Sequence, residues 1–225
     1  VKPPRTTNLL LNLTARGKMN KGDGYNEWVS TVNGKTYKAK LEGFQWNKNS
    51  GWGEDDKINR LIIRDGSSVE IPFYPFNDKN NYTEGFTFEF EFTTTNVYNE
   101  NGEICNITNY DGDSGIVITA SEAIFRVGGG AQVSTKYKSG KTYRIAFVKT
   151  RTGAQGTLEN QRFVKIYVNG VLCGIEEFSY GTSFANASPI KIIGTKDATI
   201  ELTDITFYNS ELSDDEILNN YMFYR

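Results

Sequence analysis

The sequence predicts an all-β fold, an antiparallel sandwich or barrel with one short helix at its C-terminal end. Three observations predict it. Gly85-Phe-Thr-Phe-Glu-Phe-Glu-Phe-Thr93 alternates strictly, with Phe86, Phe88, Phe90 and Phe92 on one face and Thr87, Glu89, Glu91 and Thr93 on the other. Many further short apolar runs are separated by turn dipeptides rather than by helical stretches. One helix start, Ser213-Asp-Asp-Glu216, stands near the end.

In chain order the strand-like runs are residues 8–13, 57–64, 68–73, 85–93, 103–107, 115–120, 123–127, 142–149, 163–168, 171–178, 190–194 and 199–208. The phenylalanine ladder implies a strand lying on a core with its Thr/Glu face in water, which is the pattern of antiparallel rather than parallel sheet. Asn33-Gly34, Asp65-Gly66, Asn101-Gly102, Asp111-Gly112 and Asn169-Gly170 punctuate these runs. Asn169-Gly170 separates two strand-like runs by two residues. A type I′ turn needs positive φ at both central positions, which Asn-Gly tolerates, so a tight hairpin is predicted there. In the helix, Ser213 and Glu216 can satisfy each other's orphan amides, and Asp214 and Asp215 place negative charge at the positive end of the dipole. Leu212 and Ile217 are spaced for a hydrophobic staple. The expected helix spans residues 214–221. Polar loops fall at 96–103 and 150–160, with no repeat and no internal boundary, so residues 1–225 read as one domain.

Composition narrows the function. The 225 residues carry 25 Lys and Arg against 27 Asp and Glu, a net charge of −2, and no His. This balance argues against nucleic acid, which needs concentrated positive charge. The absence of His removes Ser-His and Cys-His catalytic pairs and His-ligated metals. Cys105 and Cys173 are too few for structural zinc and read as two buried free thiols. No run approaches the ~18 apolar residues of a membrane span, and no signal peptide opens the chain, so membrane insertion is not expected. A start at Val1 and a stop just after the helix read as a module excised from a longer protein.

Val164-Lys-Ile-Tyr-Val-Asn-Gly-Val171, Ile190-Lys-Ile-Ile-Gly194 and Ile205-Thr-Phe-Tyr-Asn-Ser-Glu-Leu-Ser-Asp-Asp-Glu-Ile217 resemble the C-terminal half of laminin-G-like, concanavalin A-like jelly-roll domains. Gly85–Thr93 and Tyr143-Arg-Ile-Ala-Phe-Val148 are similar to earlier strands of that family. The likeness runs from about Gly85 to Tyr221; upstream, Trp28, Gly43-Phe44, Gly51-Trp52 and the 61–63 strand follow the expected order. Asn169-Gly-Val-Leu-Cys-Gly174 and Ile217-Leu-Asn-Asn-Tyr221 look most like modules of virion structural proteins of phages. The resemblance implies two packed, curved antiparallel sheets and a module that binds glycans or proteins, sometimes with calcium. Fold alone does not fix function.

Each candidate site has an ordinary alternative. Glu89 and Glu91 share a strand face as paired carboxylates, but lack the central Asp and third acid of the glycosidase strand found on this jelly roll, so they read as solvated charges and no catalytic residue is assigned. Asp111 and Asp113 have the alternate spacing that calcium favours, or form an acidic turn. Gly128-Gly-Gly130 lacks the Lys-Ser/Thr of a phosphate loop. Trp46, Trp52, Tyr98, Asn109 and Tyr110 lie in polar, loop-like surroundings where rings could stack on sugars. Gly51 and Gly53 flank Trp52 and leave its face accessible in this reading, whereas Trp28 reads as core. The function expected is a non-catalytic carbohydrate-binding or adhesion module, on a virion or extracellular surface, with a glycan or host polysaccharide and other virion or surface proteins as partners. A structural docking domain is the alternative, and a glycoside hydrolase ranks third.

Overall fold

Why the phenylalanine ladder is a strand is visible in its partners. In the computed structural model, which describes residues 1–53, 59–76, 85–108, 114–128, 130–150, 162–178 and 188–225, Phe86, Phe88, Phe90 and Phe92 are all buried. Their rings meet those of both layers. Phe86 packs on Phe125 at 5.7 Å and on Phe207 at 5.7 Å, and Phe88 on Phe207 at 5.5 Å. Burying each such ring contributes roughly 1.5–3 kcal/mol. The ladder therefore carries a stabilisation comparable with the net stability of an ordinary domain.

The described strands are β1 (Leu9–Thr14), β2 (Trp28–Val32), β3 (Lys35–Glu42), β4 (Gly51–Gly53), β5 (Arg60–Ile63), β6 (Ser68–Ile71), β7 (Phe86–Thr95), β8 (Glu103–Thr108), β9 (Gly115–Thr119), β10 (Glu122–Val127), β11 (Ala131–Lys136), β12 (Thr142–Lys149), β13 (Phe163–Val168), β14 (Val171–Glu177), β15 (Ile190–Ile193) and β16 (Thr199–Tyr208), followed by helix α1 (Asp214–Phe223). The first layer is an eight-stranded sheet in the order β14-β13-β12-β7-β16-β5-β4, with β1 pairing β16 beyond β5. The opposing layer is two four-stranded sheets, β15-β6-β3-β2 and β11-β10-β9-β8, in which β15 lies beside β8. All pairings are antiparallel, and the whole is a jelly-roll-like β-sandwich with one short C-terminal helix.

Local chemistry sets the turns. Asn169 and Gly170 have φ of 52° and 81°, and Asn33 and Gly34 have 49° and 75°, so both Asn-Gly pairs close two-residue hairpins with both centres left-handed. The second of these joins β2 to β3, a lysine-rich strand that carries too little apolar signal to be read from sequence. The helix opens on the predicted capping box, with Glu216 N–H donating to Ser213 Oγ at 3.2 Å and Ser213 N–H donating to Glu216 at 2.9 Å. It runs to Phe223, two residues past the expected end.

The outer face of the eight-stranded sheet is where the structure departs most from the sequence reading. It is not wet. Helix α1 lies across it, and Leu212 and Ile217 join Leu9, Ala146, Val148, Tyr167 and Tyr208 in a second small core. Strand β7 is thus buried on both sides, and Glu89 and Glu91 are 1% and 7% exposed rather than solvated. Cys173 is also corrected: it lies exposed on edge strand β14, whereas Cys105 is buried as expected, and both thiols are free.

Candidate functional site

Among the described residues, two regions have the geometry of a site. The first is built around Trp46, between β3 and β4. Its φ of 54° places a bulky residue in the left-handed region, a conformation costing on the order of 1–3 kcal/mol. The surrounding turn enforces it. Asn47 and Ser50 exchange backbone hydrogen bonds at 3.2 and 3.1 Å, and Asn47 Oδ1 accepts from the Asn49 and Ser50 amides at 2.9 and 3.0 Å. Gly51 passes so close that a Cβ there would sit 2.9 Å from Trp46 Cα. The half-buried indole rests on other rings: Phe44 at 5.2 Å, Tyr25 edge-on at 5.5 Å and Trp52 at 6.1 Å. Tyr25 is 37% exposed, and Gln45, Asn47 and Asn49 around it are exposed amides.

Trp52 does not play the part the sequence reading gave it. It is fully buried and packs on Trp28 at 5.9 Å. Its indole N–H donates to the Tyr25 carbonyl at 2.5 Å, and its backbone is gripped by the Asn20 amide, which accepts at 2.8 Å and donates at 2.6 Å. Flanking glycines signalled close backbone approach, not exposure. Trp28 is core, as predicted. Tyr98 is 84% exposed on the β7–β8 connection, held through its backbone N–H to the Asp197 carbonyl at 2.7 Å, and makes no ring contact with the Trp46 group. Asn109, Tyr110, Asp111 and Asp113 lie outside the described residues. Among the described residues no cluster of three or more potential metal ligands occurs.

The second region is the charged layer beneath α1. Antiparallel register puts Glu91 directly between Arg144 on β12 and Asp204 on β16. Arg144 is 3% exposed and its guanidinium reaches Glu89 at 2.9 Å, Glu91 at 3.4 Å and Asp204 at 3.6 Å. Arg16, from the chain after β1, adds ion pairs to Glu91 at 2.7 Å and Asp204 at 3.1 Å. The helix is tied in from above: Asn220 donates to Glu89 at 3.1 Å, and the Tyr224 ring lies 4.5 Å from the Arg144 guanidinium. Burial raises the Glu91 pKa, Asp204 raises it further, and Arg144 and Arg16 pull it back only in part. Burial opposes the Arg144 charge, but Glu89, Glu91 and Asp204 outweigh it and push that pKa up. Both carboxylates of the pair are thus engaged by arginine, unlike two acids facing each other across a cleft. A cavity of about 300 Å³ adjoins this layer, walled by Arg60, Arg144, Asn169, Tyr221 and Tyr224.

Fold and surface together define a β-sandwich that positions an aromatic platform on a connection between its layers and roofs one sheet with a helix. No family model and no curated protein matches the sequence. Among solved structures it is similar to receptor-binding domains of botulinum neurotoxins. These include the binding domain of botulinum neurotoxin DC in complex with SialylT (TM-score 0.68, 16% identity, 98% of this chain and 52% of that chain). The same kind of domain in complex with rat synaptotagmin II gives a TM-score of 0.64 at 17% identity, over 97% of this chain and 52% of that one. A botulinum neurotoxin type C structure, described as entering cells by interaction with two ganglioside molecules, gives 0.64, 17%, 97% and 52%. The chain therefore spans about half the length of these structures, and at such identity the likeness is one of fold.

Proposed function

We propose that this chain is a non-catalytic carbohydrate-binding or adhesion module of a virion or cell-surface protein. The observation that carries the reading is the Trp46 platform, a half-buried indole held in a strained backbone conformation on a base of aromatic rings and rimmed by amides. Strain of this kind clusters at ligand clamps and other functional sites. Aromatic faces with a few convergent polar groups are the general composition of a small-ligand site, and they match the C–H faces and hydroxyls of a pyranose. The solved neighbours, described with SialylT and with gangliosides, support the class of ligand. The virion setting rests on the resemblance of residues 169–174 and 217–221 to phage modules.

A shallow platform binds weakly and gains strength by repetition. The test is a glycan array probed with a multivalent display of the protein and of Trp46→Ala. Binding by the parent, lost by about tenfold or more in a variant that stays folded at the assay temperature by circular dichroism, is expected. A flat array for the parent, or full binding by the variant, overturns the reading. One observation favours a docking domain as the second reading. Edge strand β14 exposes Val171, Leu172 and Ile175, and α1 exposes Leu218, Met222 and Phe223, a surface suited to a protein partner.

A further inference from the structure

Helix α1 is held unevenly along its length. Its first turn is pinned to the sheet. The Thr87 hydroxyl donates to the Ser210 carbonyl at 3.0 Å and accepts from the Leu212 amide at 2.9 Å, and the Tyr167 hydroxyl donates to Asp214 at 2.7 Å. Further along, Ile217 and Asn220 are the helix's buried residues, whereas Leu218, Met222 and Phe223 are exposed. An isolated helix of 10 residues is marginal in water, so α1 persists by what grips it. Part of that grip comes from outside the sheet, where the first five residues of the chain run back along α1. The Asn219 side chain takes the Lys2 backbone at both of its polar groups, accepting from the N–H at 3.1 Å and donating to the carbonyl at 2.9 Å. Arg5 donates to Glu216 Oε1 at 2.9 Å and to Ser210 Oγ at 2.5 Å. Glu216 also accepts the Ser213 amide through Oε2, so the Arg5 contact is tied to the helix cap. Pro3 and Pro4 lie between the two contacts, and their fixed φ favours an extended chain that spans them. The inner side of α1 covers the charged layer, with Asn220 on Glu89 and the Tyr224 ring on Arg144, and Tyr221 and Tyr224 wall the adjoining cavity.

We propose that α1 is a lid on the outer face of the eight-stranded sheet, hinged at residues 210–212, and that residues 1–5 are the strap that latches it. Release of the strap frees the C-terminal turns while the Thr87 contacts keep the first turn in place. Lifting those turns uncovers Glu89 and Arg144 and removes Tyr221 and Tyr224 from the cavity wall. The latch depends on backbone at Lys2 and on charge at Arg5, whose half-exposed ion pair with Glu216 is weakened by salt. The experiment is amide hydrogen exchange on the full chain, followed by mass spectrometry. Arg5→Ala, Lys2→Pro and Asn219→Ala should each speed exchange over residues 217–223 by about tenfold while strand β7 keeps its rate. Asn219→Ala separates a latch from mere helix propensity, because alanine is the better helix former and would otherwise slow exchange. Lys2→Ala keeps both backbone groups and should exchange like the parent. Added salt should move the parent toward the Arg5→Ala rate. Unchanged α1 exchange in the first three variants overturns the lid, as does acceleration of α1 and β7 together, which is unfolding of the whole domain. Equal damage from Lys2→Ala and Lys2→Pro also overturns it.

Discussion

Replacing Arg144 by Met removes the one cation among the described residues that touches all three buried carboxylates. Glu91 and Asp204 are then left with Arg16, and Glu89 with the neutral Asn220 amide, in a layer where Arg144, Glu89 and Asp204 are at most 3% exposed. Breaking a buried ion pair from one side costs about 3–5 kcal/mol, because the stranded charge keeps its desolvation penalty. The lost contact between Arg144 and the Tyr224 ring adds roughly 1 kcal/mol. Against a total stability of about 5–15 kcal/mol the variant should still fold. Its urea midpoint, followed by tryptophan fluorescence, should fall by roughly 1–3 M at pH 7. The deficit should shrink on acidification. Glu91 already has a raised pKa in the folded protein, and without Arg144 it rises further. A carboxyl raised in this way contributes stability that is complete below its unfolded value and lost as pH rises through the folded one. Adding Glu89→Gln to the variant should restore part of the loss. A penalty below about 1 kcal/mol at pH 7, or one that does not change with pH, would refute the reasoning.

Two further outcomes follow from buried and exposed titrating groups. In native protein one thiol should react with a bulky disulfide reagent: Cys173 is exposed, whereas Cys105 is sealed and burial pushes its thiol up to about 12. Cys173→Ser should abolish that reaction, and two fast thiols in the parent would contradict the structure. Lys149 is 2% exposed, and burial pulls its pKa down to about 8, with Glu211 acting in the opposite sense. Its stabilising contribution is complete above the unfolded value and is lost as pH falls through about 8. Lys149→Met should therefore gain up to about 3 kcal/mol at pH 7, the gain fading by about pH 11, measured by denaturation across that range.

The parts of the fold legible in the sequence are those whose signal is local. Asn169-Gly170 and Ser213–Glu216 encode a turn and a cap within a few residues, and both form as read. The phenylalanine ladder encodes a face by its period, and that face is the inner wall. Strand β3 was not legible, because Lys35, Lys38 and Lys40 break its apolar pattern and its pairing with β2 and β6 is decided by neighbours far along the chain. The fate of Glu89 and Glu91 was illegible for the same reason. Alternation says that two faces differ, but not what covers the second.

A signal for that cover was nevertheless present, spread over distant segments. Arg144 and Asp204 are charges inside otherwise apolar central strands, as Glu89 and Glu91 are. Charges of both signs at such positions compensate one another only if their strands are adjacent. The register makes them so, with Glu91 opposite Arg144 on one side and Asp204 on the other. Once gathered under an apolar roof, these groups gain from every added partner, and the helix brings Asn220 and Tyr224 to them as well as Leu212 and Ile217 to the small core, although Glu89 Oε1, Asp204 Oδ1 and Arg144 Nε stay without a hydrogen bond. The outer sheet face is therefore polar because the helix is anchored there, whereas the Trp46 platform owes nothing to it and depends on the strained turn between β3 and β4. The two regions can accordingly be altered one at a time, so Trp46→Ala and Arg144→Met in the same protein should combine additively in their effect on stability.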